Sequence, residues 1–363
     1  MAKAAPTDIP DAPGAELLVG ARTVLGAPAA ERDRLLRALP APLLLELYRG
    51  LCRLRAFDDR ALTLQRQGRI GTYATYRGEE AVQAGSVLAL RDQDWVFPSY
   101  RQGAVVTLRG VAPEVPLLLW SGHPGGWHDV YQARVAPICV PVATNLPHAV
   151  GAAWGARLRG EDWVALGFTG DGSTSEGDFH EACNLAAVVE APAIILVTNN
   201  QWAISTPLSA QTRVPRIADK AAAYGIPGVR VDGFDVVACH QVVGEAAARA
   251  RAGGGPTLVE AVCYRLGPHG TADEPSRYRD EAGAAAWAPL EPVARTTAAL
   301  VAAGVASAAE LAEIREALAL EHRDLGQAVD AAPAWTAEQL AATVHHPTPW
   351  TLGPAGLAGP ERL

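Results

Sequence analysis

The sequence predicts an α/β fold, in which a parallel sheet has helices on both faces and helical additions at both ends. Between about residues 150 and 282, apolar strand-like runs alternate with helical segments, which is the order of βαβ units. The run at 193–198 is continuously apolar, as expected of a strand that is buried on both sides. The tail after residue 282 is rich in Ala and has helical periodicity.

The first elements follow from composition and spacing. Residues 1–40 are rich in Ala and Pro, and we expect them to form a loosely held arm. Leucines at intervals of three and four residues predict an amphipathic helix over 42–65. A glycine-rich entry and a second helix are predicted within 68–90, followed by a short strand at 94–101 that ends in a polar loop.

The later elements alternate regularly along the chain. Strands are predicted at 163–168, 193–198, 229–231 and 257–266, and helices at 178–190 and 236–252. We therefore expect one α/β domain over 41–282, with 283–363 as a helical extension of the same domain.

Composition excludes several classes of protein. A net charge of −8 over 363 residues argues against a nucleic-acid binder, because positive charge is needed to neutralise phosphates. No apolar run approaches 18 residues, so we expect no membrane span. The five cysteines are dispersed and form no CxxC pair, and the first twenty residues resemble no targeting signal, which predicts reduced thiols and a cytoplasmic location.

Polar side chains follow two neighbouring strands of the predicted sheet. Asp171 lies between Gly170 and Gly172 after one strand, and Asn200 follows the next. Carboxyl ends of parallel strands meet at one edge, so these two side chains should lie together. Carboxylate and amide oxygens suit Mg²⁺ that also binds phosphate, and glycines allow the backbone to approach that phosphate.

The complete arrangement indicates a thiamine diphosphate site. The helix after Gly172 would direct its amino end, where anions are stabilised, toward the same place. A Gly-Asp-Gly tripeptide by itself is more often a turn, and an Asn pair more often a cap. It is the combination of both with one helix and one apolar strand between them that favours the cofactor site.

Six segments resemble one enzyme family over about residues 41–282. They are LQRQGRIGTYATYRGEEA, VFPSYRQGAV, VPVATNLPHAVGAA, GDGSTSEGDFHEACNLAA, NNQWAISTP and YRLGPHGTADEPSRYR. The chain resembles the alpha subunit of the heterotetrameric 2-oxo acid dehydrogenases, the first component of the pyruvate and branched-chain complexes. The resemblance implies the diphosphate-binding half of the thiamin diphosphate-binding fold, with thiamine diphosphate and Mg²⁺ as cofactors.

The same resemblance implies the reaction. A small 2-oxo acid would be oxidatively decarboxylated, and its acyl group would pass to the lipoyl-lysine of an acyltransferase component. Pyruvate is the favoured substrate, and the alternatives are a branched-chain 2-oxo acid (3-methyl-2-oxobutanoate) or, less favoured, the acetoin-cleaving reaction of a related dehydrogenase.

The resemblance also assigns site residues. Asp171, Asn200 and the backbone carbonyl of Trp202 would bind the metal. Residues that would hold or support the cofactor are Tyr100, Arg101, Val142, Gly170, Gly172, Ser173 and Arg265. The alternative for Arg101 and Arg265 is a surface salt bridge, although an Arg directly after a strand in an acidic protein favours contact with an anion.

His269 is the predicted catalytic residue. It lies in a loop rich in Gly and Pro that follows a strand, and histidine can donate or accept a proton near neutral pH. The resemblance places it over the reactive carbon, where it would stabilise the intermediate or protonate the lipoyl sulfur. A purely structural loop histidine is the alternative. His128 is a weaker candidate for the entrance of the site.

The chain holds only one α/β unit, and this predicts a partner. By the resemblance, the glutamate that engages the aminopyrimidine ring comes from a separate beta subunit, in an α2β2 assembly with sites at the α–β interfaces. Gly270 stands where animal relatives have a phosphorylatable serine, with Thr271 next to it. Cys139 and Asn145 occupy two positions of a potassium site of some relatives, and cysteine is a poor ligand for that ion.

Two other classes of protein fit less well. A dinucleotide-binding oxidoreductase needs G-x-G-x-x-G, whereas the glycines around Asp171 are spaced differently and the acid would repel phosphate without a metal. A non-catalytic scaffold would not need Arg101, His269 and the Asp171/Asn200 pair together.

Overall fold

The computed structural model describes residues 15–339. Its strands are β1 (Trp95–Phe97), β2 (Ala165–Gly170), β3 (Ala193–Asn199), β4 (Trp202–Ala203), β5 (Thr206–Pro207), β6 (Gly228–Asp232) and β7 (Thr257–Val262). Five of them form a parallel sheet in the order β1-β2-β3-β7-β6, whereas β4 and β5 form a separate antiparallel pair.

Helices surround this sheet. They are α1 (Ala29–Arg37), α2 (Ala41–Arg66), α3 (Glu80–Leu88), α4 (Glu114–Trp120), α5 (Val130–Ala133), α6 (Asn145–Arg159), α7 (Gly177–Val188), α8 (Leu208–Gln211), α9 (Val236–Arg249), α10 (Glu281–Ala285), α11 (Pro292–Ala302), α12 (Ala308–Glu321) and α13 (Leu325–Asp330). Within residues 15–339, none of them is long and apolar enough to cross a membrane.

Strand β3 shows why both faces of the sheet are covered. Its side chains alternate between two buried clusters, as the pleat requires. Ile194 and Leu196 belong to the cluster that includes α2, α3 and α9, whereas Ile195 and Val197 belong to the cluster that includes α6 and α7. The predicted α/β class, with helices on both faces of a parallel sheet, is therefore confirmed.

The amino-terminal arm differs from the expectation. From Leu17 onward it is not loosely held, because Leu18, Val24 and Leu25 are buried. The carboxylate of Asp235 accepts hydrogen bonds from the backbone N–H groups of Val24 and Leu25, both at 2.6 Å. The same carboxylate caps the first turn of α9, so it ties the arm to the domain.

The carboxyl-terminal extension is helical, as predicted. Its composition also suggests helices that pack beside the sheet, but α11 and α12 pack mainly on α2. The Tyr48 hydroxyl of α2 lies 3.0 Å from the Thr297 hydroxyl of α11 and donates to the Leu311 carbonyl of α12. The sequence of 345–363, with several Pro and Gly residues, predicts a loose end, but these residues lie outside the described part of the chain. The division at 40 and 282 stays a prediction.

The end of β7 also differs. The strand was expected to reach 266, but its ladder stops at Val262. Beyond it, the N–H groups of Cys263 and Arg265 donate to the carbonyls of Asn199 and Asn200. The chain therefore leaves the sheet beside the end of β3. All five cysteines are free, and four of them are buried.

Candidate active site

The carboxyl ends of β2 and β3 open into a cavity of about 230 Å³. The register pairs Gly170 with Thr198, so the residues that follow the two strands lie side by side. Ten of the eleven predicted site residues line this cavity: Tyr100, Arg101, Val142, Gly170, Asp171, Gly172, Ser173, Asn200, Trp202 and His269. Residues that the sequence did not single out also line it, among them Glu79, Ser99, Gln102 and Thr198.

Asp171 is the only aspartate in the wall of this cavity within the described chain. Its Oδ2 atom accepts a hydrogen bond of 3.1 Å from Nε2 of Gln211, a residue of α8 that the sequence analysis did not select. Burial raises the pKa of Asp171 to about 6. A cation beside this carboxylate would stabilise its charged form and reverse that shift.

Asn200 is oriented by two fixed groups. Its Nδ2 atom donates to Oε1 of Glu79 at 2.6 Å, and its Oδ1 atom accepts from the Trp202 N–H at 3.1 Å. The neighbouring Asn199 has a different function, because its Nδ2 donates to the buried Glu260 at 2.8 Å. Asn199 therefore stabilises the end of β3, whereas Asn200 lines the cavity.

Gly172 allows the β4–β5 pair to approach the end of β2. A Cβ atom at residue 172 would lie 2.6 Å from the Cβ of Ala203, far below ordinary contact. At Gly170 the situation is different, since a Cβ there would meet no atom within 4 Å among the described residues. Because Gly170 lines the cavity, its lack of a side chain leaves room for a ligand.

Arg101 is buried and holds the loop of His269. Its guanidinium donates to the carbonyls of Thr75 and His269, and Nη2 lies 3.0 Å from Nδ1 of His269. A guanidinium only donates, so Nδ1 accepts, and the neutral ring carries its proton on Nε2. Burial, with the positive charges of Arg101 and Arg265, lowers the pKa of His269 to about 4.

Arg265 does not reach the cavity wall. Its guanidinium is buried and donates to the carbonyls of Trp202 at 3.2 Å and Ile204 at 2.8 Å, and to the Tyr278 hydroxyl at 2.7 Å. It makes no salt bridge with a described residue, so the alternative of a surface salt bridge is not supported, and its contact with the diphosphate stays a prediction. The resemblance gave its position, but the direction of its side chain depends on the β4–β5 pair beside it.

The loop of His269 is fastened by residues that the sequence analysis did not select. Oδ2 of Asp273 accepts the His269 N–H at 2.7 Å and the Tyr278 hydroxyl at 2.5 Å. The ring of Tyr100 packs edge-on against the imidazole, with centroids 5.9 Å apart. His128, in contrast, bonds the Val135 carbonyl and does not line this cavity, so its place at the entrance stays a prediction.

Several buried polar atoms in the cavity wall are left for a ligand. Oε2 of Glu79, Oε1 of Gln102 and Oγ1 of Thr198 have no hydrogen-bond partner among residues 15–339. A buried polar atom without a partner is costly. Oxygen atoms of this kind, together with the Asp171 carboxylate and the buried Arg101 guanidinium, fit a site for a cation and a phosphorylated ligand.

Comparison with known proteins agrees with this geometry. Residues 49–338 match the family model described as the dehydrogenase E1 component. The chain belongs to the dehydrogenase E1 component family. Its members depend on thiamine diphosphate, and they are oxidoreductases.

Two relatives illustrate the family. The 3-methyl-2-oxobutanoate dehydrogenase subunit alpha of Mycobacterium tuberculosis is 51% identical over 273 residues, which are 74% of this chain and 73% of that protein. The pyruvate dehydrogenase E1 component subunit alpha of Staphylococcus aureus is 41% identical over 253 residues, 69% of this chain and 68% of that protein. The predicted family is confirmed, and the more similar of these two relatives is named for the branched-chain substrate, which is the alternative to pyruvate.

Proposed function

We propose that this chain is the alpha subunit of a thiamine diphosphate-dependent dehydrogenase that acts on a branched-chain 2-oxo acid such as 3-methyl-2-oxobutanoate. The observation that carries the proposal is the meeting of Asp171, Asn200, Arg101 and His269 around one cavity. The identity of 51% to the mycobacterial subunit favours the branched-chain substrate. Pyruvate is the second candidate, supported by the staphylococcal relative.

In this proposal Asp171, Asn200 and the Trp202 carbonyl hold Mg²⁺. In this set of ligands Asp171 would be the one carboxylate, and within the described chain no three His, Cys, Asp or Glu side chains cluster as a metal site. One carboxylate, one amide and one carbonyl leave positions for phosphate oxygens, which is how Mg²⁺ is usually held beside a phosphorylated ligand.

The diphosphate would lie beside Arg101 and Tyr100, with the backbone of Gly172 and Ser173 on its other side. The guanidinium of Arg101 stacks near the ring of Tyr100, 5.6 Å from its centroid, so both would contact the same anion. Arg265 would act indirectly, by fixing the Trp202 carbonyl and adding positive charge. Val142 lines the cavity and would support the bent cofactor.

When bound, thiamine diphosphate would supply the nucleophilic carbon and the electron sink for loss of carbon dioxide. The task of this chain is to orient groups and move protons. His269 is neutral at pH 7, since its pKa is lowered to about 4, and with Nδ1 held by Arg101 it would donate from Nε2. That N–H would donate a hydrogen bond to the oxygen of the reacting group; protonation of the lipoyl sulfur would instead draw on the imidazolium form, because loss of a proton from the neutral ring would leave an imidazolate.

A beta subunit is the expected partner, because the relatives are named as alpha subunits. Large apolar side chains near the cavity are exposed, including Val142 and Ile204 in its wall. Exposed apolar surface of this kind favours a protein interface. We propose an α2β2 assembly that transfers acyl groups to a lipoyl-bearing acyltransferase; the cytoplasmic location predicted from the dispersed cysteines belongs to the same proposal.

Reconstitution with the beta subunit tests the proposal. Calorimetric titration should show binding of thiamine diphosphate that depends on Mg²⁺, and no binding of NAD. The complex should reduce or acylate lipoamide with 3-methyl-2-oxobutanoate at a higher kcat/KM than with pyruvate. Equal or better use of pyruvate would favour the second candidate, and absence of Mg²⁺-dependent cofactor binding would contradict both.

A further inference from the structure

Glu79 stands out among the groups in the cavity wall. It precedes the first residue of α3, its side chain is fully buried, and its backbone N–H donates to the Tyr76 carbonyl at 2.7 Å. The carboxylate meets Asn200 directly and lies 3.6 Å from Nε of Arg101. It comes from a part of the chain 121 residues before the residue that it contacts.

The contact with Asn200 determines which way the carboxamide is turned. A carboxylate only accepts hydrogen bonds, and a backbone N–H only donates. With Glu79 on one side and the Trp202 N–H on the other, only one orientation satisfies both contacts, with Nδ2 toward Glu79 and Oδ1 toward Trp202. A rotated carboxamide would present an NH₂ group, which cannot bind a cation, on the side of the Trp202 backbone.

Stability alone does not account for Glu79. A buried carboxylate is costly unless it is well paired, and here one oxygen has no partner among the described residues while the contact with Arg101 is long. Its pKa is raised to about 7, chiefly by burial. An apolar side chain of similar volume would fill the same space at lower cost.

We propose that Glu79 is a positioning residue, which turns the Asn200 carboxamide so that its oxygen faces the cation, and thereby sets the metal affinity of the site. The inference rests on the proposed function, because it requires Asn200 to be a metal ligand. Glu79 acts through Asn200 by accepting a hydrogen bond, so the metal affinity should depend on the hydrogen-bond acceptor at residue 79 and not on its charge. Partners of this kind typically change metal affinity by about 10- to 100-fold when removed.

The experiment uses the reconstituted complex with saturating thiamine diphosphate and measures the dissociation constant of Mg²⁺ by calorimetry. Binding of Mn²⁺, followed by electron paramagnetic resonance, gives a second readout that does not depend on turnover. Glu79→Leu removes the acceptor, whereas Glu79→Gln keeps one. Glu80→Gln is the matched control, since Glu80 is equally buried but pairs with Arg55 and does not line the cavity.

If Glu79 acts by orienting the Asn200 carboxamide, the Mg²⁺ affinity should differ among the three variants. Glu79→Leu should weaken Mg²⁺ binding about 10- to 100-fold, Glu79→Gln should stay within about threefold of the unaltered complex, and Glu80→Gln should leave the affinity unchanged even if melting temperature falls. If Glu79→Leu bound Mg²⁺ normally, or if Glu79→Gln lost as much affinity as Glu79→Leu, the proposal would be overturned. If the unaltered complex itself required no Mg²⁺, the proposed function would fail and not this inference alone.

Discussion

A single added methyl group at Gly172 tests how closely the turn after β2 packs against the β4–β5 pair. In Gly172→Ala the new Cβ would lie 2.6 Å from the Cβ of Ala203. Carbon atoms are in favourable contact at about 3.5–4.0 Å, so the two backbones must separate by about 1 Å. Ala203 directly follows Trp202, whose carbonyl is the proposed third ligand. The displacement would therefore move this ligand away from the metal.

The expected cost follows from that displacement. Overpacking of this size destabilises a protein by about 1–3 kcal/mol, and a shift of about 1 Å in a catalytic group can cost about 100-fold in rate. The double variant Gly172→Ala/Ala203→Gly removes the opposing Cβ and should recover most of both losses. Gly177→Ala is the control, because a Cβ there meets no atom within 4 Å in the described part of the chain.

The assays are thermal unfolding of the alpha subunit and kcat/KM of the reconstituted complex. If Gly172→Ala were as stable and as active as the unaltered protein, the close approach of the β4–β5 pair would be refuted. If the double variant recovered stability but not activity, Gly172 would be needed for the cofactor itself and not for this packing contact.

Three further perturbations have defined outcomes. Since burial raises the pKa of Asp171 to about 6, protons compete with the cation, and Mg²⁺ affinity should be flat above about pH 7 and fall about tenfold per pH unit below about pH 6, measured by calorimetry; an unchanged affinity at pH 5 would contradict the assignment. In the metal-free protein the free energy of unfolding depends on pH in the opposite direction. The raised pKa of Asp171 stabilises the fold most below pH 3.8, the pKa of the unfolded side chain, and this contribution is lost as the pH rises through about 6. Tyr278→Phe removes hydrogen bonds to Asp273 and Arg265 and should speed amide exchange over 269–279 and lower kcat, with exchange elsewhere unchanged; an unaffected loop would refute its fastening role. His269→Asn should lower kcat by about 10²- to 10⁴-fold with cofactor affinity within a few-fold of normal, and equal losses in both quantities would argue for a structural role.

Much of the site could be predicted because its signals are local. Asp171 and Asn200 each follow a strand that is recognisable from its apolar run, and parallel strands bring their ends to one edge. Glu79 and Gln211 could not be found in this way, since they reach the metal site from residues 121 and 40 positions away along the chain. Such contacts depend on tertiary packing and leave no spacing pattern in the sequence.

The errors have physical causes as well. The Ala and Pro content of residues 1–40 predicts loose attachment. Composition does not reveal that the Asp235 carboxylate, at the start of α9, accepts hydrogen bonds from N–H groups of the arm. For Arg265 the resemblance gives the position but not the direction of the side chain, so its contact with the diphosphate stays a prediction. Its Nη1 and Nη2 atoms donate to two nearby carbonyls and the Tyr278 hydroxyl, whereas its Nε has no partner among the described residues.

The position of the cation is the most direct test of the central claim. Crystals of the α–β complex with thiamine diphosphate and Mn²⁺ in place of Mg²⁺ would locate the metal by its anomalous scattering. We expect one peak per site, about 2.0–2.3 Å from a carboxylate oxygen of Asp171, Oδ1 of Asn200 and the Trp202 carbonyl. A peak that lies away from Asp171 and Asn200, or no peak with the cofactor bound, would contradict the account.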